Sequence, residues 1–191
     1  MLKSRAKASQ VLYSRFTDEV GGRSSYELNF PNGGQVLIRG VIVSQSATTE
    51  NSLLISYGEE GSTWGVNELT MLDNTLVNGL SYGGRFVRVA GDVRGGLFWN
   101  NLLVGGGTWD LPRNVNEGNN PRLGWDEVVS AAHQDVSLAN PDRHPWVKPP
   151  GLGAQDVALP ALEYQHPRNM HPVRGPGYLA GAVQTPVGVR K

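Results

Sequence analysis

The stretch Leu69-Thr70-Met71-Leu72-Asp73-Asn74-Thr75-Leu76-Val77-Asn78-Gly79-Leu80 decides how the chain is read. Its leucines at 69, 72, 76 and 80 fall at intervals of 3, 4 and 4, the spacing of one helical face. Tyr82-Gly83-Gly84 closes the segment. Working outward, both flanks read as strand. Upstream, Val36, Leu37, Ile38, Val41, Ile42 and Val43 are aliphatic and mostly β-branched, in a run too short for a typical helix. Gly40 interrupts that run and marks a bulge or sharp bend. A polar loop over 44–51 follows, then a second strand over 52–57, a turn over 58–61 and a short third strand over 62–66 that carries Trp64. Downstream, 85–93 alternates Val87, Val89 and Val93 with Arg88 and Asp92, the pattern of a half-buried strand. Gly95-Gly96 predicts a tight hairpin into a fifth strand over 97–104, and Gly105-Gly106-Gly107 ends the unit.

The predicted order is strand, strand, strand, helix, strand, strand. It resembles the OB-fold, a five-stranded Greek-key barrel with one helix between strands 3 and 4. Gly40 sits where the first strand of such a barrel curls. The run Gly84-Arg85-Phe86-Val87-Arg88-Val89-Ala90-Gly91-Asp92-Val93 looks like the fourth strand of many bacterial OB domains. The resemblance covers about 34–106. It implies a mainly β protein with a barrel over 29–108, an N-terminal arm over 1–28 with a short helix over 6–16, and a C-terminal arm over 109–191. A small sandwich or another five-stranded barrel satisfies the same pattern.

The arm is set apart by proline. Of twelve prolines only Pro31 precedes Pro112. Those at 141, 145, 149, 150, 160, 167, 172, 176 and 186 forbid any long helix or central strand beyond 140. One short helix is predicted near 125–134, with Trp125, Val128, Val129 and Ala132 on one side and Asp126 and Glu127 in its first turn. Apolar residues recur singly along the arm. Trp146, Tyr164, Tyr178 and Leu179 are its expected partner-binding anchors, because a solvated tail has no need of them and proline limits the entropy lost on docking.

Net charge is zero, but unevenly spread. Residues 1–25 hold five basic and two acidic residues, 35–106 four and six, and 107–191 eight and eight. Proteins that bind phosphate backbone normally show a basic face. Nucleic acid is therefore the alternative partner, read by Tyr57, Trp64, Phe98 and Trp99 as stacking residues beside Arg39, Arg85, Arg88 and Arg94. Sugar binding by the same aromatics is a weaker option. Cysteine is absent, which excludes disulfides and thiolate metal sites. No N-terminal h-region and no apolar run of membrane-spanning length appears, so neither secretion by a signal peptide nor membrane insertion is expected.

Chemistry is sparse. His133, His144, His166 and His171 are scattered, and three precede proline, so no helical face pairs them as metal ligands. Asp126-Glu127 reads as helix N-terminal charge before it reads as an acid/base pair. The glycine pairs lack the Gly-Lys-Ser/Thr ending of a phosphate loop and any strand–glycine–helix context for a dinucleotide. No catalytic, cofactor or metal site is assigned. The expectation is a non-enzymatic, multi-copy structural subunit that binds other protein subunits through its arm. In general style it resembles virion proteins of tailed bacteriophages, which implies a capsid-cementing, connector or tail-associated role and assembly in the host cytoplasm. A subunit of another large complex would look similar.

Overall fold

The computed structural model describes residues 1–90, 93–130, 136–149, 159–166, 168–174 and 178–185. Its first fifteen strands stack as five rungs of three. Rung one is β1 (Leu2–Lys3), β2 (Ala8–Leu12) and β3 (Arg15–Thr17). Rung two is β4 (Leu28–Phe30), β5 (Gln35–Arg39) and β6 (Ile42–Gln45). Rung three is β7 (Leu53–Tyr57), β8 (Glu68–Leu72) and β9 (Thr75–Asn78). Rung four is β10 (Arg85–Val89), β11 (Gly95–Trp99) and β12 (Leu102–Val104). Rung five is β13 (Thr108–Asp110), β14 (Asn116–Gly118) and β15 (Arg122–Leu123). Every third strand pairs, always parallel, to give three five-stranded sheets: β1-β4-β7-β10-β13, β2-β5-β8-β11-β14 and β3-β6-β9-β12-β15. This cyclic order makes a three-sided parallel β-solenoid.

The core is a set of stacked columns inside the coil. Val11, Ile38, Met71 and Phe98 align in the second sheet. Phe16, Val43, Leu76 and Leu103 align in the third. Leu2, Leu28, Ile55 and Val87 align in the first. Together they form half of one continuous apolar cluster. Each side chain packs on its equivalent one rung away, so each rung buries the apolar face of the next.

One corner recurs in every rung. Tyr13, Gly40, Asp73, Asn100 and Asn119 all have positive φ, between 46° and 63°, and each is followed by the first residue of a turn into the third sheet. Glycine, Asn and Asp tolerate this left-handed conformation best. At Gly40 a side chain would also strike the Tyr13 ring, 2.5 Å from the position of a Cβ. The residues that follow build an asparagine ladder. Asn74 Oδ1 accepts from the Val41 N–H (3.0 Å), Asn101 Oδ1 from the Asn74 N–H (3.2 Å), and Asn120 Oδ1 from the Asn101 N–H (3.0 Å). Their Nδ2 groups donate to the carbonyls of Ile38, Met71 and Phe98. Asn74 Nδ2 also reaches Asn101 Oδ1, and Asn101 Nδ2 reaches Asn120 Oδ1. Asn74 and Asn101 are fully buried, and the ladder pairs their side chains together with the Val41, Asn74 and Asn101 N–H groups.

The OB-like barrel is therefore corrected. No helix lies between the third and fourth predicted strands. Leu69 belongs to β8 and points inward, Leu72 ends β8 pointing outward, and Leu76 points inward from β9. Their helical spacing arises because the two-residue corner Asp73-Asn74 separates two alternating strands. Gly95-Gly96 makes no hairpin: both residues lie within β11, and β10 and β11 belong to different sheets. The stretch 6–16 is strand, not helix. Over 125–134 the described part is a 3-10 turn, Trp125–Glu127, followed by β16 (Val128–Ser130); Ala132, His133 and the end of that predicted helix lie outside the described residues, as do Gly91 and Asp92.

Beyond the solenoid, β16 pairs with β17 (Val136–Leu138) and β18 (Leu162–Gln165) with β19 (Asn169–Pro172), both antiparallel. These hairpins sit against the outer surface of the third sheet.

Candidate functional site: the strapped face and the two rod ends

The third sheet carries apolar residues on its outer side as well as its inner side. Ile42, Val77, Leu102, Val104 and Leu123 point outward and are all 5% exposed or less. The arm covers them. Val128, Val136, Leu138 and Leu179 pack on Val77, Leu102, Val104 and Leu123. Tyr164, Ala182 and Val183 pack on Ile42. The arm thus runs back from rung five to rung two, and at rung one His166 Nδ1 lies 3.5 Å from Arg15.

Polar contacts fasten it at the recurring corner. The Trp146 Nε1–H donates to Asp73 Oδ1 at 2.8 Å, and Arg39 Nε donates to Asp73 Oδ2 at 3.1 Å. Burial pushes the Asp73 carboxyl up, while Arg39, Trp146 and Asn100 pull it back down. Asn100 imitates a strand toward the arm: its Oδ1 accepts from the Val147 N–H and its Nδ2 donates to the Val147 carbonyl, both at 3.0 Å. Asn119 Nδ2 donates to Asn100 Oδ1 and to the Pro145 carbonyl. The Ala182 N–H donates to Thr75 Oγ1, and the Gly181 N–H to the Asn100 carbonyl. Asp73, Asn100 and Asn119 therefore hold the coil's tight corners and also receive the arm. Further along, the buried Glu163 accepts from the Gln184 and Thr185 N–H groups and from the Thr185 hydroxyl, and faces His171 Nε2 at 3.4 Å. That carboxylate ties the β18–β19 hairpin to the last described segment of the arm.

The residues expected from the sequence to bind other subunits lie within this chain as follows. Trp146 is bonded to Asp73, and its N–H donates to the Tyr178 carbonyl. Leu179 bridges to Pro145 and packs on the third sheet. Tyr164 is buried against Ile42. All four lie on the chain's own solenoid or beside residues that do. The residues named for stacking are not brought together. Tyr57 and Phe98 are fully buried in the coil. The Tyr57 hydroxyl donates to the Gly34 carbonyl at 2.6 Å, and burial raises its pKa. Phe98 meets Trp109 edge-on, with ring centroids 5.4 Å apart. Trp64 lies against Gly34, and Trp99 lies over Gly118 on the outside of the second sheet. Arg39 binds Asp73, Arg85 pairs with Asp110, and Arg88 with Glu59. Glu127 accepts from the Gly124 N–H and Asp126 is exposed. Among the described residues no three His, Asp or Glu side chains gather as metal ligands.

The sequence reading missed Asp73, Asn100 and Asn119. The signal was present: Leu72-Asp73-Asn74, Trp99-Asn100-Asn101 and Gly118-Asn119-Asn120 repeat one corner. It was hidden because the coils differ in length. The equivalent residues Leu2, Leu28, Ile55, Val87 and Trp109 are 26, 27, 32 and 22 positions apart.

The two ends of the rod also differ. At rung five two of the three core columns end in charge, with Glu117 below Phe98 and Arg122 below Leu103, both exposed, and the third ends in Trp109 below Val87. At rung one they end in Leu2, Val11 and Phe16. No family model, curated protein or solved structure matches this chain.

Proposed function

We propose that this chain is a non-enzymatic structural subunit of a large assembly, a stiff rod strapped by its own arm and joined to neighbours through the arm's outer side. A tailed-phage virion is the kind of assembly it suits. The observation that carries the reading is the two-sidedness of the arm. Its inner side packs Tyr164, Leu179 and Val183 on the third sheet and bonds Trp146 to Asp73. Away from that sheet Val129, Val147 and Leu159 are 41% or 42% exposed, while the half-exposed Trp125 and Met170 border grooves against the solenoid. Exposed apolar residues on a strap that is otherwise docked are the surface we assign to a neighbouring subunit. A strap fixed across four or five rungs also suits a subunit under load, because no rung can open without releasing it.

The test is incorporation. Val147→Asp with Met170→Asp changes only exposed positions, so the variant is expected to melt as the parent does. It is expected to be missing from particles isolated from the source, in which the parent chain is present in fixed stoichiometry. Finding the parent only as free protein, or finding the variant incorporated normally, would overturn the reading.

A further inference from the structure

The ends of this rod are built for opposite purposes. In a solenoid the last rung must stop the hydrophobic column, and a polar residue in the core position does so. Rung five has this device. Glu117 takes the position held above it by Phe98, Met71, Ile38 and Val11, and Arg122 the position of Leu103, Leu76, Val43 and Phe16. Trp109 closes over Phe98 and donates from Nε1 to Glu117 Oε2 at 3.0 Å.

Rung one has no such residue. Leu2 and Phe16 remain partly exposed beside the buried Val11. Its three strands are the last in their sheets among the described residues. In β2 the backbone alternates. The Lys7 carbonyl accepts from the Gln35 N–H and the Tyr13 N–H donates to the Arg39 carbonyl, both at 2.9 Å. Odd residues therefore face rung two, and the N–H and C=O groups of Ala8, Gln10 and Leu12 face away from the rod. The Leu12 carbonyl accepts from the Ser14 hydroxyl at 2.7 Å; the Ala8 and Gln10 groups and the Leu12 N–H form an edge with no proline and no bulge, which is a template for another strand. Its surroundings are basic. Residues 1–17 contain Lys3, Arg5, Lys7 and Arg15 and no acidic residue. Glu60 bridges Lys3 and Arg5, which leaves the rim positive.

We propose that rung one is a docking edge for a second protein, which adds an acidic-rimmed extended strand to β2 and covers Leu2 and Phe16. A second copy of this chain does not fit. Its own rung one carries the same basic rim, and its rung five would bring Glu117 and Arg122 into the core column, where unpaired charge is costly. Lysine beside an edge also discourages self-pairing, so the charge selects an acidic partner over another copy.

The inference rests on the structural-subunit reading only for its purpose. It is tested on the isolated full chain, so its failure is distinct from a failure to incorporate into particles. The probe is a short synthetic peptide alternating valine and glutamate, with a valine–lysine peptide as control. Hydrogen exchange is expected to slow at the amides of Ala8, Gln10 and Leu12 with the acidic peptide alone, and high salt should weaken binding. Lys7→Glu should weaken binding about tenfold or more, as measured by fluorescence anisotropy. Gln10→Pro should abolish it while the amides of rung two keep their protection, because the lost N–H faces away from the rod. No slowing at about 1 mM peptide, equal binding of both peptides, or concentration-dependent self-association abolished by Gln10→Pro would each overturn the proposal.

Discussion

Glu27 is a residue at which this fold is exposed to pH. Its side chain is 2% exposed, and its Oε2, like Asp18 Oδ2, is buried without a hydrogen-bond partner in the protein. Burial, with the nearby Asp18 charge adding to it, pushes the Glu27 carboxyl up to about 7 from an ordinary 4.5. The folded chain therefore holds this proton more tightly than the unfolded chain. The favourable contribution is complete below pH 4.5 and is lost as pH rises through about 7. The loss amounts to about 3 kcal/mol at most, at 1.36 kcal/mol per pKa unit. Melting temperature measured from pH 4.5 to pH 8 is expected to fall over this interval. Glu27→Gln, which keeps the shape and removes the charge, should flatten that slope. An unchanged slope in the variant would assign the dependence to another group.

The element that fixes the strands in register is the asparagine ladder, whose strength lies in having no open ends among its buried members. Asn101 donates to the Met71 carbonyl and to Asn120, and accepts from the Asn74 backbone and side chain. Replacing Asn101 by alanine leaves these buried partners unpaired and is expected to cost about 2–4 kcal/mol, read as a shift of the urea midpoint. A surface asparagine replaced in the same way would change stability by less than about 0.5 kcal/mol, so a small effect at Asn101 would show that the ladder is not a main support. The ladder also explains why the leucine spacing of 69–80 misleads. A corner of two residues inserted between two strands of period 2 produces intervals of 3 and 4 that imitate a helix. The corner dipeptides, and not the leucines, were the informative letters.

At the scale of the whole molecule the arm and the solenoid are one folding unit. A chain ending at residue 139 keeps all five rungs but uncovers Ile42 and Leu102, now 1% and 2% exposed. Re-exposing two such side chains costs about 3 kcal/mol or more. The truncated chain is expected to keep its strand signal in circular dichroism, bind a hydrophobic dye that the full chain excludes, and unfold at lower urea. A truncation as stable as the parent would mean that the strap contributes contact without stability. The solenoid form also accounts for the two rod ends. Coiling satisfies every strand edge except those of the first and last rungs, and only rung five carries charge in its core positions.

The sequence by itself determined that this is a β protein: short runs of β-branched and aliphatic residues broken by Gly, Asn and Asp admit little else. It marked the bend at Gly40, and it carried the Asn-containing corners unread, because positive φ is a local demand met by few residue types. It marked the proline-rich stretch beyond 140, although the arm expected from 109 starts within rung five, and it offered Trp146, Tyr164, Tyr178 and Leu179 as expected partner-binding residues. What only the tertiary structure decided is which strands pair. Parallel pairing joins residues 19 to 33 positions apart, and nothing local distinguishes a strand that turns back on its neighbour from one that coils on to meet the strand three places later. The covering of the third sheet was hidden for the same reason. An outward Ile42 or Leu102 reads as core in any β fold, and only its contact with an arm some 80 to 140 residues away along the chain shows that both sides of that sheet are buried.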